Sequence, residues 1–326
     1  MLLSGTDPQA IALAAARLAA GELVALPTET VYGLGARADD DSAVAKIFAA
    51  KGRPSDHPLI VHVLDAADAA RFATELPPLA QRLMAAFWPG PMTVIVPRAP
   101  TMAAAAAGGQ ATVGLRCPSH PVARALLAAA RALGVLGVAA PSANRFGRVS
   151  PTQAQHVEAE FDAQLLVLDG GECAVGIESS IVDCSRGGAV LLRPGVLTAA
   201  QIEAALGQPL QAADAQAPRA SGTLAAHYAP HATVRLHSAA ELSDRLARPL
   251  PVRLAVYSRT VDASSLGGLS RTMPADALEA AQQLFAVLRE LDAAGAQEIW
   301  IELPPLGSEW DGVRDRLSRA AAAFEA

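Results

Sequence analysis

Cysteine, lysine and aromatic side chains are all scarce in this chain. Cys117, Cys173 and Cys184 are the only cysteines in 326 residues, an odd number with no CxxC spacing. That argues against a disulfide framework and against a structural zinc site. The seven histidines form no HExxH pair, so a metal centre of that type is not expected. No GxxxxGK[ST] phosphate loop and no GxSxG nucleophile elbow occurs. Long apolar runs are missing too: Ala103–Ala107 is too short for a membrane span and is followed by Gly108, Gly109 and Gln110. After Met1 the chain reaches Asp7 and Pro8 before any long apolar stretch, so no signal peptide is expected. A soluble, reducing compartment, the cytoplasm, is the expectation.

Positive charge is also in deficit. The net charge is −6, which disfavours sequence-independent coating of nucleic acid but leaves room for a local basic site for one small anion. Of 26 basic residues only Lys46 and Lys51 are lysines. A GC-rich genome explains most of that bias, and it singles out two ammonium groups where arginine would otherwise be expected.

What is present is a globular composition, with 52% hydrophobic and 18% charged residues. Helices are expected at 8–20, 41–51, 78–87 and 120–133, with another starting at Pro151. Strands are expected at 23–26, 59–63, 93–96, 112–115, 135–139, 165–168, 180–183 and 190–192. Strands crowd together between some helices, which implies a mixed sheet instead of a regular βαβ repeat. Residues 208–222 are rich in Ala, Gln, Pro and Gly and read as a linker. Beyond it, strands near 233–236, 254–257 and 298–302 and helices near 241–246, 275–291 and 308–323 make a small Rossmann-like unit without a GxGxxG turn. The expected division is 1–206, a linker at 207–232, and 233–326.

Five segments carry polar residues suited to chemistry. Pro27–Gly35 leaves a buried strand with two Thr hydroxyls and two glycines. Lys51-Gly52-Arg53-Pro54, followed by His57 and His62, sets two cations side by side on a stiff loop, which suits a polyphosphate. Arg116 ends a strand and can grip a carboxylate. Ala140–Asn144, with Gly147 and Ser150-Pro151-Thr152, offers short hydrogen-bonding groups and the free N–H groups of a helix start. Glu178–Asp183 and Arg193 add hydroxyls and a cation. Each also has an ordinary structural reading: a strand-exit loop, a lysine capping its helix end, a surface arginine, a capping turn, a polar strand start. Together they describe binders of anions and hydroxyls without a metal cage or a thiol nucleophile, which fits chemistry driven by positioning and charge neutralisation.

The segments PTETVYGLG, KGRP with PLI-H downstream, WPGPMT, GLR-P, PSAN with SPT, ESSIVD and LLRPG occur in that order. In this the chain resembles the YrdC/Sua5 family of threonylcarbamoyl-adenylate synthases over roughly residues 8–200. Ser221-Gly222 and His227-Tyr228-Ala229-Pro230-His231 before a second domain resemble the longer Sua5 form. The resemblance implies a YrdC-like twisted mixed sheet with a concave basic cavity. It implies that L-threonine, bicarbonate and ATP yield threonylcarbamoyl-AMP and pyrophosphate, and that partner proteins pass the group to N6 of adenosine 37 in tRNA. It assigns Thr30, His62, Arg116, the backbone at Ala140, and Ser180 to threonine. It assigns Lys51, Arg53, His57, Thr112, Ser142, Asn144, Ser150 and Arg193 to the nucleotide, with Lys51 and Arg53 catalytic beside Mg2+ carried by ATP and no protein metal site. Tyr228 is implied as a lid residue over the nucleotide. His57 stands where Asn is frequent, Arg145-Phe146 where smaller residues are common, and ESSIVD replaces the usual EST form. The alternatives are a double-stranded RNA-binding module, for which the acidic charge allows only weak contact, and a hydrogenase-maturation carbamoyltransferase, which the cysteine pattern opposes.

Overall fold

The computed structural model describes residues 1–324 and divides into two compact units, Met1–Phe146 with Ser150–Thr223, and Gly147–Val149 with the chain from Leu224 onward. The first unit contains β1 (Leu2–Ser4), α1 (Pro8–Ala19), β2 (Val24–Leu26), β3 (Gly33–Arg37), α2 (Asp41–Lys51) and β4 (Ile60–His62). It continues with α3 (Ala66–Phe72), α4 (Pro78–Phe87), β5 (Met92–Pro97), β6 (Thr112–Arg116), α5 (Pro121–Ala132) and β7 (Val138–Ala139). Then come α6 (Ala154–Glu158), β8 (Leu166–Asp169), β9 (Ser180–Asp183), β10 (Val190–Arg193) and α7 (Ala199–Leu206). The strands form one mixed sheet in the order β1-β8-β2-β3-β7-β4-β6-β5-β9-β10.

Local chemistry sets the helix limits. Asp7 caps α1 by accepting from Gln9 N at 2.9 Å, with Pro8 in the first turn, where a missing N–H costs nothing. Asp40 caps α2, which stops at Gly52 with φ +64°, a left-handed position that favours glycine.

Side-chain alternation along the strands decides what each sheet face does. Val61, Val94, Val96, Val113, Leu115 and Val182 point into the larger core, with Ile47, Leu83 and Ile202 from the helices. Across β2, β7 and β8 the other face is also covered, by α1 and α5 through Ile11, Leu18, Leu126 and Leu127. Across β4, β6 and β5 that second face instead carries Ile60, His62, Thr112, Gly114, Arg116 and Thr93, in register with one another. Burial on one face and polarity on the other leaves a floor on which a ligand can be held.

Two sequence expectations change. Gly33–Arg37 is a strand, antiparallel to β2 and β7, and not a loop. The helix expected from Pro151 starts at Ala154 and lasts five residues, because the Pro151 carbonyl accepts from Tyr32 N at 2.9 Å and Thr152 N donates to His156 Nδ1 at 3.2 Å. The proposed anion site at a helix start after Ser150 therefore falls. The polar residues that fall in strands stand at strand ends, as expected: His62, Arg116 and Arg193 close β4, β6 and β10, and Thr112 and Ser180 open β6 and β9.

The second unit is a four-stranded parallel sheet, order β11-β14-β12-β13, from Thr233–His237, Glu298–Glu302, Leu254–Ser258 and Ser270–Thr272. Helices α8 (Ala239–Leu246), α9 (Ala277–Ala293) and α10 (Asp311–Ala322) complete it. In Rossmann-like sheets the turn after a strand offers N–H groups to phosphate. Here the turn after β12 is filled from within: Glu302 accepts from Arg259 N at 2.8 Å and Thr260 N at 2.7 Å. Tyr228 also belongs to this unit. Its ring is buried and stacked on Phe285 at 5.4 Å, with the Arg316 guanidinium 5.3 Å from its centroid.

Candidate active site

Two polar clusters of the first unit contain the residues singled out from the sequence. The first is centred on Arg116, which is 3% exposed. Its guanidinium donates through Nη1 to Thr30 Oγ1 at 2.8 Å, through Nε to the Gly90 carbonyl at 3.3 Å, and forms an ion pair through Nη2 with Glu29 Oε1 at 2.7 Å. Thr28 Oγ1 donates to the Val31 carbonyl at 2.6 Å, so the 2.9 Å contact between the two threonine hydroxyls has Thr30 as donor. The Thr30 lone pairs are thereby turned to Arg116. The loop after β2 thus reaches over the sheet face to orient an arginine four strands away in the sheet order.

Burial would raise the Glu29 carboxyl's pKa, but the Arg116 charge and hydrogen bonds, including one from Ser119 N at 3.1 Å, hold it below the ordinary carboxylate range. Glu29, like the other buried carboxylate Glu178, is a residue of these clusters that sequence reasoning left without an assigned role. The available signal was an acidic residue inside a segment expected to be buried, where a charge requires a partner. His62 pairs with Arg116 in the register of β4 and β6. Burial, and next the Arg116 charge, lower the imidazole to about 3, so it is neutral at any working pH. His62 Nδ1 and Ser180 Oγ are buried and have no hydrogen-bond partner among the described residues. Ser180 opens β9, beside Met92 of β5. Gly195 makes room for it: a Cβ there would stand 2.6 Å from Ser180 N and 2.8 Å from its Oγ. Ala140 follows β7 and donates through its N–H to the Ile60 carbonyl at 3.0 Å.

The second cluster surrounds Lys51. Although Lys51 ends α2, its Nζ does not cap its own helix; it donates to the carbonyls of Ser142, at 2.6 Å, and Asn144. Burial, and then the neighbouring Arg53 charge, push the ammonium well below the ordinary lysine value. Arg53 donates to the Pro58 carbonyl at 3.0 Å, and its guanidinium lies 5.5 Å from the centroid of Phe146. His57 meets the same ring edge-on at 5.4 Å, and burial with the Arg53 charge lowers its pKa. Ser150 Oγ donates to Glu178 Oε1 at 2.5 Å.

A hydrogen-bond chain joins the clusters. Arg53 Nη2 reaches Ser221 Oγ at 3.5 Å, and Arg193 Nη1 donates to the Ser221 carbonyl at 2.8 Å. Arg193 also donates twice to the Ser179 carbonyl, at 3.0 and 2.8 Å, while Ser179 Oγ meets Thr93 Oγ1 at 2.8 Å. Thr93 lies opposite Arg116 in the sheet. Residues Arg219–Ser221 lie over the face that carries Ile60, Thr93, Thr112 and Gly114. They are held there by Arg219–Asp56 at 2.9 Å and by the Gln110 side chain, which accepts from Arg219 N at 2.8 Å. The structure therefore brings together every sequence-assigned residue of the first unit, and Tyr228 alone lies in the second. Four buried cations (Lys51, Arg53, Arg116 and Arg193) face two buried carboxylates, Glu29 and Glu178. Such a site suits an anionic ligand with hydroxyl or amino groups.

Comparison with known proteins decides the family. Residues 16–195 match the profile described as "Telomere recombination" for the Sua5, YciO and YrdC proteins, and residues 197–322 match "Threonylcarbamoyl-AMP synthase, C-terminal domain". The threonylcarbamoyl-AMP synthase of Pyrococcus abyssi is 37% identical over 309 residues, covering 90% of this chain and 88% of that protein. The chain belongs to the threonylcarbamoyl-AMP synthase family. The Bacillus subtilis threonylcarbamoyl-AMP synthase is 45% identical over 241 residues, covering 72% of this chain and 68% of that one. In three dimensions the family likeness spans both units: the crystal structure of P. abyssi Sua5 complexed with L-threonine superposes with a TM-score of 0.87 and 34% identity, over 97% of this chain and 95% of that one. Among the described residues of this family member, no group of three His, Cys, Asp or Glu is placed to hold a metal ion, and no helix is long and apolar enough to cross a membrane.

Proposed function

We propose that the chain condenses L-threonine, bicarbonate and ATP into threonylcarbamoyl-AMP, pyrophosphate and water, and that downstream proteins transfer the threonylcarbamoyl group to adenosine 37 of tRNA in the cytoplasm. The observation that carries the proposal is the buried Arg116, held by Glu29, Thr30 and Gly90, beside two partnerless buried groups, His62 Nδ1 and Ser180 Oγ. Arg116 takes the threonine carboxylate. Neutral His62, Thr30, Ser180 and the backbone at Ala140 take its remaining polar groups, and the amine stays free to attack the carbon of the activated carbonate.

The nucleotide lies on the Lys51 side, among Arg53, His57, Thr112, Ser142, Asn144, Ser150 and Arg193, where buried basic residues outnumber buried carboxylates. A phosphate close to Lys51 offsets the charge of Arg53 and raises the lysine's pKa, so the ammonium form is favoured where negative charge develops. Mg2+ arrives with the triphosphate as part of the substrate. The lid role of Tyr228 requires its ring to leave Phe285. Fixed cations in a site shielded from water also protect a mixed anhydride from hydrolysis.

The test is incubation of the chain with ATP, bicarbonate and L-threonine, followed by mass analysis for the adenylate and for pyrophosphate. Product must vanish when threonine or bicarbonate is omitted; pyrophosphate release without either would reduce the chain to a simple ATP hydrolase.

A further inference from the structure

The first unit has another cavity, of about 450 Å3, lined by none of the residues assigned above. Its wall is mostly apolar, formed by Leu64, Leu76, Met84, Trp88 and Pro89, and it also includes Asp65, Gln81, Cys117 and Arg124. The volume is that of a small-molecule pocket.

The polar members differ in how far they are committed. Asp65 caps α3 by accepting from Asp68 N at 2.9 Å and pairs with Arg131 at 2.9 Å. Gln81 donates its amide to the Leu76 carbonyl at 2.6 Å. The Trp88 indole donates to the Met92 carbonyl at 2.7 Å, which leaves its ring as an apolar surface. Arg124 is the exception. Its Nη1 touches the Leu64 carbonyl at 3.4 Å and Cys117 Sγ at 3.2 Å, both neutral acceptors, and it has no carboxylate within ion-pair distance among the described residues. A half-buried guanidinium without an anion, at the wall of an apolar cavity, is complementary to one kind of small molecule. An arginine fork pairs with a carboxylate through two parallel hydrogen bonds, and the apolar wall takes a hydrocarbon body.

We propose that this cavity binds an apolar monocarboxylate, its hydrocarbon part against Leu64, Met84, Trp88 and Pro89 and its carboxylate on Arg124. The site is separate from the proposed threonine grip, although Pro89 leads directly into Gly90, whose carbonyl holds Arg116.

The probe is 4-phenylbutyrate, compared with its uncharged amide, titrated calorimetrically into the full chain with L-threonine in excess so that Arg116 is not the acceptor. The acid is expected to bind at least about tenfold more tightly than the amide, the scale of a charge-assisted hydrogen bond. Arg124→Gln is expected to erase that preference. Ala85→Trp, which fills the cavity from α4, is expected to remove binding of both probes while thermal melting shows an intact fold. No binding of the acid to the wild-type chain, an undiminished acid preference in Arg124→Gln, or unchanged binding in Ala85→Trp would each overturn the proposal. The readout is binding alone, so its failure is distinct from failure of adenylate synthesis.

Discussion

Acid is expected to destabilise the first unit most strongly through one of its histidines. His62 is 3% exposed and its folded pKa is about 3, against an ordinary value of 6.5. The folded form resists protonation, so unfolding takes up a proton once the pH falls below the unfolded value. The stabilisation is fully present above pH 6.5 and is lost progressively between there and about 3. At about pH 5 an unfolded histidine is roughly 97% protonated while the buried one is neutral, which costs the folded state about 2 kcal/mol relative to about pH 7.5. That figure barely depends on the folded value: anywhere below about 4 it is the same, because only the unfolded state titrates in this window. Glu29 and the other carboxylates contribute their own acid dependence, so the measurement must be a difference. Hydrogen exchange of β4–β6 amides, normalised for intrinsic rates, reports opening of this unit. Between about pH 7.5 and about pH 5 the wild type is expected to lose about 2 kcal/mol more than His62→Gln. Equal losses in the two proteins would mean that the imidazole is already protonated in the fold, and the neutral-acceptor role for threonine would go with it.

Four substitutions probe the site from other directions. Arg116→Lys keeps the charge but loses the fork, so the KM for threonine should rise roughly 10- to 100-fold with that for ATP little changed; parallel rises in both would show that Arg116 does not separate the substrates. Lys51→Met should lower turnover by about 10²–10³ in adenylate yield, and the Ser142 and Asn144 carbonyls that lose their donor should cost about 1–3 kcal/mol of stability; retained turnover refutes the charge-neutralising role. Gly195→Ala places a Cβ 2.6 Å from Ser180 N, and the KM for threonine should rise about tenfold through loss of one hydrogen bond, while a normal KM would remove Ser180 from the threonine site. Glu29→Gln leaves Arg116 buried beside a neutral side chain and should cost about 3–5 kcal/mol by denaturant titration, with part recovered in the double variant Glu29→Gln/Arg116→Met; a cost below about 1 kcal/mol would mean that water screens the pair.

Much of this site was legible because its residues sit at abrupt changes of composition. Lys51 stands between a periodic helix and a Gly-Arg-Pro loop, and Arg116 between an apolar strand and Cys117-Pro118. The alternation that predicts a strand at 112–115 also places Thr112, Gly114 and Arg116 on one face. The sequence does not say which side of the sheet the helices leave bare, since that depends on strand order, and strand order is a long-range property. Hence the strand-end placement of His62, Thr112 and Arg116 was legible, but the bare face they share was not. Gly33–Arg37 escaped as a strand because Gly-Leu-Gly-Ala-Arg has almost no β-branched or aromatic content. It is a strand because the chain approaches closely there: a Cβ on Gly35 would stand 2.8 Å from the Val138 side chain. Pro151 misled in the opposite direction. Its suitability for a first helical turn was outweighed by Tyr32, whose N–H takes the Pro151 carbonyl.

Glu29 shows why charge balance is harder to read than shape. Nothing nearby in sequence announces its partner: Arg116 lies 87 positions further on, in a strand brought beside it only by the finished sheet. Yet the pair decides how the proposed threonine site would work. An unopposed buried guanidinium would be costly in the empty protein. Opposed by Glu29 and oriented by Thr30, it is stable before substrate arrives and already aimed, so little reorganisation is left for binding to drive. The same economy governs Lys51, whose two backbone carbonyls hold it in place until a phosphate supplies the negative charge. In the proposed mechanism, both clusters provide a temporary partner for a cation whose proper partner is the substrate.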